Sequence, residues 1–298
     1  MDRFEDMRCF VHVAELQSVT KAADQLNLAP SAVSRRLKEL EARLGAQLLT
    51  RTTRRMSLTE AGQVFFHRAR QILDDVDDAE AEASSEGCGL SGTLRLAAPL
   101  TFGVDHLSGI VAEFLLEHPE LGLDLDLSDR VVDLVGEGMD LAVRIGALED
   151  STLVARRLAE LRMVVCAAPA FLRRHGTPQS PRDLTRLPCL GYVGSERPDI
   201  WRYRAADGTE GSVQVPLRMR ANNGSVLRDA AVRGLGVALQ PPFIVQPALA
   251  SGDLVRVLED TDWGTISINI VYPGQRHLSA KARAFIDFAR ARLGPLPV

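Results

Sequence analysis

Two stripes share the stretch between Pro30 and Gly45. Val33, Leu37, Leu40 and Leu44 recur at steps of four, three and four, while Ser31, Ser34, Arg35 and Lys38 recur on the opposite side. A helix with this pattern must bury one side and leave hydroxyls and cations in solvent on the other. Pro30 suits its first turn, where a missing N–H costs nothing, and Gly45 ends it. The chain is therefore expected to begin with a small helical unit that covers the apolar stripe and presents the polar one.

The preceding residues supply that cover. Phe4, Met7, Phe10, Val11 and Ala14 follow helical spacing, and Ser18 is a suitable cap for a second short helix carrying Ala22, Ala23 and Leu26. Asn27-Leu28-Ala29-Pro30 then makes the turn. Short helix, four-residue turn and polar-faced helix together describe a helix-turn-helix. Arginine can pair bidentately with guanine, serine can bond base edges or phosphates, and the dipole at a helix N-terminus favours phosphate oxygens. Leu48 to Leu58 alternates loosely and is predicted to form a two-stranded hairpin, a wing that grips phosphate with Arg51, Arg54 and Arg55. The expected DNA-contacting set is Ser31, Ala32, Ser34, Arg35, Lys38, Arg51, Thr52, Arg54 and Arg55.

Overall charge argues weakly against nucleic acid, because the net formal charge is -4. Only local charge decides what a surface attracts, however. Residues 1–58 carry ten basic and seven acidic side chains, whereas residues 59–90 carry two and eight. Within residues 30–55 the balance is seven to two in favour of cations.

With 298 residues, 46% of them hydrophobic, the chain is long enough for two or three cores. The N-terminus MDRFEDMRCF has no apolar signal region, and no apolar run approaches the roughly 18 residues of a membrane span. A cytoplasmic protein with no membrane contact is expected. Cys9, Cys88, Cys166 and Cys189 are scattered, the six histidines are isolated, and no nucleophile elbow, zinc-protease motif or phosphate-binding loop is present. No catalytic residue, metal or cofactor is expected.

From Thr59, a plausible cap, the chain reads as one long helix to about Glu86. Phe65, Ala69, Ile72, Val76 and Ala79 repeat at alternating steps of four and three, a seam that calls for a partner helix and predicts self-association. The Gly- and Ser-rich stretch from Ser84 to Gly92 marks a hinge. Beyond it, short apolar strands (Thr93 to Ala98, Leu121 to Leu127, Leu141 to Ile145, Met163 to Ala167, Val213 to Met219, Val237 to Gln240, Ile266 to Tyr272) alternate with helical stretches (Val104 to His118, Val131 to Glu137, Ser225 to Arg233, Ser279 to Leu293). This is an α/β body with largely parallel sheets.

The run SVTKAADQLNLAPSAVSRRLKELEARLGAQLLTRTTRRMSLTEAG resembles the winged helix-turn-helix of LysR-type transcriptional regulators. One departure is that Ala29 and Pro30 stand where a Ser-Gln pair is frequent, which removes a base-reading Gln and a Ser cap. The resemblance implies a DNA-binding domain over residues 1–58, a linker and dimerisation helix over 59–87, and an effector-binding domain over 88–298. That last domain would have two α/β subdomains around a cleft, like a type 2 periplasmic solute-binding protein. One lobe would take residues 92–162 and 268–298, and the other 163–267. The family pairs two heads on a double-stranded operator and usually assembles as a homotetramer from homodimers, and RNA polymerase is a candidate partner.

Ligands of open α/β sheets sit beyond the carboxyl ends of strands. The loop holding Leu100, Thr101 and Phe102, the loop at Ser128, and the loop at Asn222 fit that position, and the resemblance implies that they contact an inducer. Arg144, Trp201 and Tyr203 are further candidates for charge and stacking. Hydroxyls, amides and an arginine together suggest a small carboxylate. The main alternative is a redox signal through Cys166 and Cys189, which the apolar surroundings of both residues disfavour.

Overall fold

The computed structural model of the protein describes residues 2–51, 56–83, 89–146, 153–194, 197–274 and 278–293. The head consists of α1 (Arg3–Leu16), α2 (Val19–Gln25), α3 (Pro30–Leu44) and the antiparallel strands β1 (Leu49–Arg51) and β2 (Met56–Leu58). The Ser18 hydroxyl accepts from the Lys21 amide at the start of α2, Asn27 takes φ 53° in the turn, and Gly45 closes α3 at φ 65°. Val33, Leu37 and Leu40 are buried with Phe10, Val11, Ala22 and Ala23. Phe4 and Leu44, the outer members of the two expected stripes, stay 46% and 42% exposed.

A buried carboxylate ties α1 to α3. Asp6 lies 3.6 Å from the Arg36 guanidinium and 3.2 Å from that of Arg43. Two cations of the basic run thus also hold the head together, and the single carboxylate offsets one of their two charges. Glu41 is structural as well, accepting from the Leu48 and Leu49 amides at 2.8 and 3.2 Å and so fixing where β1 begins.

The long helix α4 (Glu60–Ala83) starts at the expected cap. Thr59 Oγ1 accepts from the Gly62 amide at 2.9 Å and donates to the Gln47 carbonyl at 2.6 Å. This docking leaves no room for a side chain at Gly62, where a Cβ would stand 2.0 Å from the Leu48 carbonyl oxygen.

The body opens with β3 (Gly92–Ala98) and a helix that starts as α5 (Leu100–Phe102), passes through a π turn (Gly103–Leu107) and continues as α6 (Ser108–Glu117). Then come β4 (Leu121–Leu127), β5 (Leu141–Ile145), β6 (Leu153–Arg162), β7 (Val164–Ala167) and α7 (Pro169–His175). A 3-10 turn (Pro181–Arg186) leads into β8 (Cys189–Tyr192), β9 (Ile200–Arg204), β10 (Glu210–Gln214), β11 (Leu217–Ala221) and α8 (Gly224–Val232). The chain finishes with β12 (Val237–Gln240), α9 (Pro242–Ala250), β13 (Val255–Arg256), β14 (Thr265–Pro273) and α10 (Ala280–Arg292).

Two five-stranded sheets result, in the orders β4-β3-β5-β14-β6 and β11-β8-β12-β7-β13. In each, the first three strands are parallel and the fourth runs against both of its neighbours. Apart from those reversed strands the sheets are parallel, as expected. One apolar core runs through both sheets, and a separate one fills the head.

Three local expectations change. Residues 131–137 form turns rather than a helix, because Glu137 accepts from the Asp133 amide and is gripped by Arg130, pulling the segment into a compact loop. The expected strand from Val213 to Met219 is two strands, divided at Pro216, which has no amide to donate to a ladder. The ten residues of β6 escape a sequence reading because they form an edge strand, mostly solvated and rich in arginine.

The linker helix also packs on the first lobe. Arg95 of β3 is buried and pairs with Asp74 of α4, with Asp124 of β4 at 3.9 Å, while its own amide donates to Asp140 at 2.8 Å. Beside this pair His67 stands against Gly138, which holds φ +67° and whose Cβ would meet the imidazole Nδ1 at 3.4 Å.

Gly62→Ala is expected to destabilise the protein by about 1–3 kcal/mol, because α4 must move off β1. Urea denaturation of the variant against the parent measures this, and an unchanged midpoint would contradict the close docking.

Candidate DNA-reading face and effector cleft

The polar stripe of α3 stands clear of the head core. Ser31, Arg35 and Lys38 are exposed, and Ala32 and Ser34 are partly so. Arg35 pairs with Glu39 at 3.9 Å, with 74% of its side chain exposed. Such a pair contributes at most about 0.5 kcal/mol, so it does not hold the guanidinium against a phosphate or a base. Ala29 caps α3 without a side-chain hydrogen bond, so no side chain satisfies the first-turn amides. Arg51 ends β1, and its neighbours Thr52, Arg54 and Arg55 lie outside the described residues.

Between the two sheets, groups from three strand ends meet. Thr101 Oγ1 lies 3.1 Å from Ser225 Oγ. Asn223 Nδ2 donates to Thr101 Oγ1 at 3.2 Å and to Asp129 Oδ2 at 2.7 Å, and the Leu100 amide donates to Asp129 Oδ1 at 3.1 Å. Asn223 also caps α8, accepting from the Val226 amide at 3.2 Å. Behind this network the buried ring of Phe102 meets Phe243 edge-on at 5.7 Å, and His106 lies 5.6 Å from Phe243. Tyr192 stands near, its phenol pushed up by burial and then by the Asp129 carboxylate.

The expected cleft residues divide. Thr101, Leu100 and Phe102 are in place. Ser128 works locally, its hydroxyl accepting from the Arg130 amide at 3.3 Å. Asn222 is exposed, and its neighbour Asn223 takes the position across from Thr101. Arg144 donates to the Val132 carbonyl at 3.0 Å, which occupies it within the first lobe. Trp201 and Tyr203, two residues apart on one face of β9, both meet Trp263, at 6.2 and 5.7 Å, and fill the side of the second lobe. Asp129 and Ser225 are the additions, and the N-cap position immediately before α8 is the signal that singles out Asn223.

The seam of α4 also divides. Ala69 is buried and Phe65 is half-buried against Phe10, at 5.4 Å between rings, so both are spent on their own head. Ile72, Val76 and Ala79 instead line an open groove with Phe4. The exposed end of α1 therefore joins the exposed half of the seam in one apolar surface, rimmed by Asp75 and Glu80.

Comparison with known proteins agrees with this organisation. Residues 4–63 match the family described as bacterial regulatory helix-turn-helix protein, lysR family, and residues 88–294 match the LysR substrate binding domain. The chain is 37% identical to an HTH-type transcriptional regulator of Xanthomonas campestris over 97% of its own length and 85% of that protein's. It is likewise 37% identical to the regulator PtxR of Pseudomonas aeruginosa, over 97% and 92%. The solved structure of CrgA, a LysR-type transcriptional regulator from Neisseria meningitidis, superposes with a TM-score of 0.62 at 35% identity, covering 97% of this chain and 98% of that one.

Among the described residues no group of three His, Cys, Asp or Glu side chains could hold a metal ion, and no helix is long and apolar enough to cross a membrane. Cys166 and Cys189 are fully buried, and burial pushes both thiols up to about 12. At pH 8 both are therefore protonated and shielded. A thiol reagent at that pH is expected to leave Cys166 and Cys189 unlabelled in the native protein and to label them after denaturation, as read by peptide mass spectrometry. Native labelling of either would restore a redox role.

Proposed function

The chain belongs to the LysR family of bacterial helix-turn-helix transcriptional regulators, and from that premise we propose how its own residues read DNA and sense an effector. Two copies join through the groove of Phe4, Ile72, Val76 and Ala79, which places two α3 helices on one double-stranded operator. Two such dimers make the tetramer. The regulator acts in the cytoplasm, where its operator lies, and RNA polymerase is the partner through which its occupancy is read out.

The observation that carries DNA reading is the division of the basic run. Arg36 and Arg43 pair with the buried Asp6 carboxylate, and the remaining cations of α3, Arg35 and Lys38, share the open face with Ser31 and Ser34. In this reading Arg35 contacts a base edge and Lys38 a phosphate. Arg51, Thr52, Arg54 and Arg55 extend the phosphate contacts along the wing.

The effector reading rests on the cleft. The Leu100 amide, the Asn223 side-chain amide and the hydroxyls of Thr101 and Ser225 are donors that suit a small carboxylate, and Phe102 and Phe243 supply an apolar wall behind them. Binding there changes how the two lobes sit, and the contact of Arg95 with Asp74 passes that change to α4 and the head.

Arg35→Ala should weaken binding to an in vitro selected operator by about 1–3 kcal/mol and relax preference at one base position. The logarithm of the parent's binding constant should fall linearly with the logarithm of salt concentration, with a slope of about -0.9 per phosphate contacted. Fluorescence anisotropy across a salt series measures both, and an unchanged affinity in Arg35→Ala would contradict the assigned face. A carboxylate that fits the cleft, at about 100 times its dissociation constant, should stabilise the full chain by about 2.7 kcal/mol. A thermal-shift panel of aliphatic and aromatic carboxylates reads this, and a panel that shifts nothing would contradict the effector class.

A further inference from the structure

Asp129 is itself a small carboxylate, and it sits among the donors that the cleft offers to one. One of its oxygens takes the Leu100 amide at 3.1 Å, from the first lobe, and the other takes the Asn223 amide at 2.7 Å, from the second. Neither donor is a cation. The first bond lies within the first lobe and the second crosses between the lobes, and the Thr101 hydroxyl adds parallel links across to Asn223 and Ser225.

A second observation points to a ligand at the same place. Gln240 is 2% exposed, and its Nε2 has no hydrogen-bond partner among the described residues. Its Oε1 lies 3.0 Å from where a Cβ on Gly224 would stand, which puts this amide beside the residue that follows Asn223. His106 Nε2, next to Phe102 and Phe243, is likewise buried without a partner. Buried donors are normally satisfied, and leaving one unmade is costly. Unused hydrogen-bonding capacity therefore lies next to Gly224 and behind Phe102, close to the groups that hold Asp129.

We propose that Asp129 is a built-in ligand: its carboxylate occupies the anion seat of the cleft, and a carboxylate effector acts by displacing it. The inference rests on the reading of the cleft as a carboxylate site. The incoming carboxylate takes the Leu100 and Asn223 donors, and its remaining atoms reach toward Gln240. Displaced, Asp129 turns to solvent and adds a negative charge at the mouth of the cleft. Asp129 is therefore a specificity-determining residue, because an effector must outbid a tethered carboxylate and a weak or singly bonded anion does not.

Chemical rescue tests this on the full chain. Asp129→Ala keeps the Cβ and removes the carboxylate, so formate is the missing piece. The variant is expected to melt below the parent and to regain melting temperature saturably with added sodium formate, while the parent responds no more than to sodium chloride of the same ionic strength. Asp129→Ala with Asn223→Ala should lose the rescue. Asp129→Ser serves for the same titration if the alanine variant melts too low to follow. Formate that stabilises parent and variant equally, or neither, overturns the proposal, as does rescue that survives loss of Asn223. Rescue in the variant, together with a parent that no carboxylate stabilises, retires the effector class and leaves Asp129 in its seat.

Discussion

The organisation of this regulator depends on one helix having to satisfy three neighbours. With 3.6 residues per turn, α4 presents distinct sides, and each is committed differently. Phe65, Ala69 and Leu73 complete the head core with Phe10. His67 and Asp74 face the first lobe, where Asp74 meets the buried Arg95. Ile72, Val76 and Ala79 are left for the groove that also takes Phe4. Because the head core and the lobe contact hold α4 from two directions, a second copy seated in the groove, as proposed, would fix the spacing of the heads. The Arg95–Asp74 contact is likewise the link through which a shift of the lobe would reach α4.

The body solves a related problem by repetition. Two sheets share one strand pattern, so the carboxyl ends of their parallel strands open toward a common cleft. Leu100 and Thr101 follow β3, Asp129 follows β4, and Asn223 follows β11. Each is placed by the end of a strand rather than by a long loop, which explains how short polar side chains reach across two lobes within 2.7–3.2 Å. The π turn at Gly103–Leu107 adds to this, because it turns the helix that begins at Leu100 so that Phe102 and His106 both meet Phe243.

The head was the most legible part of the sequence, because helix spacing, caps and turn residues act over a few positions. Ser18, Asn27, Gly45 and Thr59 all do locally what their chemistry suggests. Partners distant in sequence were not legible. A heptad seam says that a side is apolar but not what covers it, so Phe65 and Ala69, which pack on their own head, look the same as Ile72 and Val76. Nor does a charge count reveal that Arg36 and Arg43 pair with the buried Asp6. In the cleft, a one-residue choice between Asn222 and Asn223 turns on where α8 begins, and the aromatic pair at Trp201 and Tyr203 finds its partner only through Trp263, about sixty residues away. Asp129 lies in the loop that the sequence singles out at Ser128, but only the fold brings its carboxylate to Asn223.

The central claim is that the groove on α4 pairs two reading heads on one operator. The most direct measurement compares Ile72→Asp with the parent on two duplexes, one with both half-sites of a selected operator and one with a single half-site. The account predicts that the substitution lowers affinity for the paired site to the level of the single site, leaves the single-site affinity unchanged, and yields monomers in sedimentation. Full affinity for the paired site in a variant that remains dimeric would contradict it.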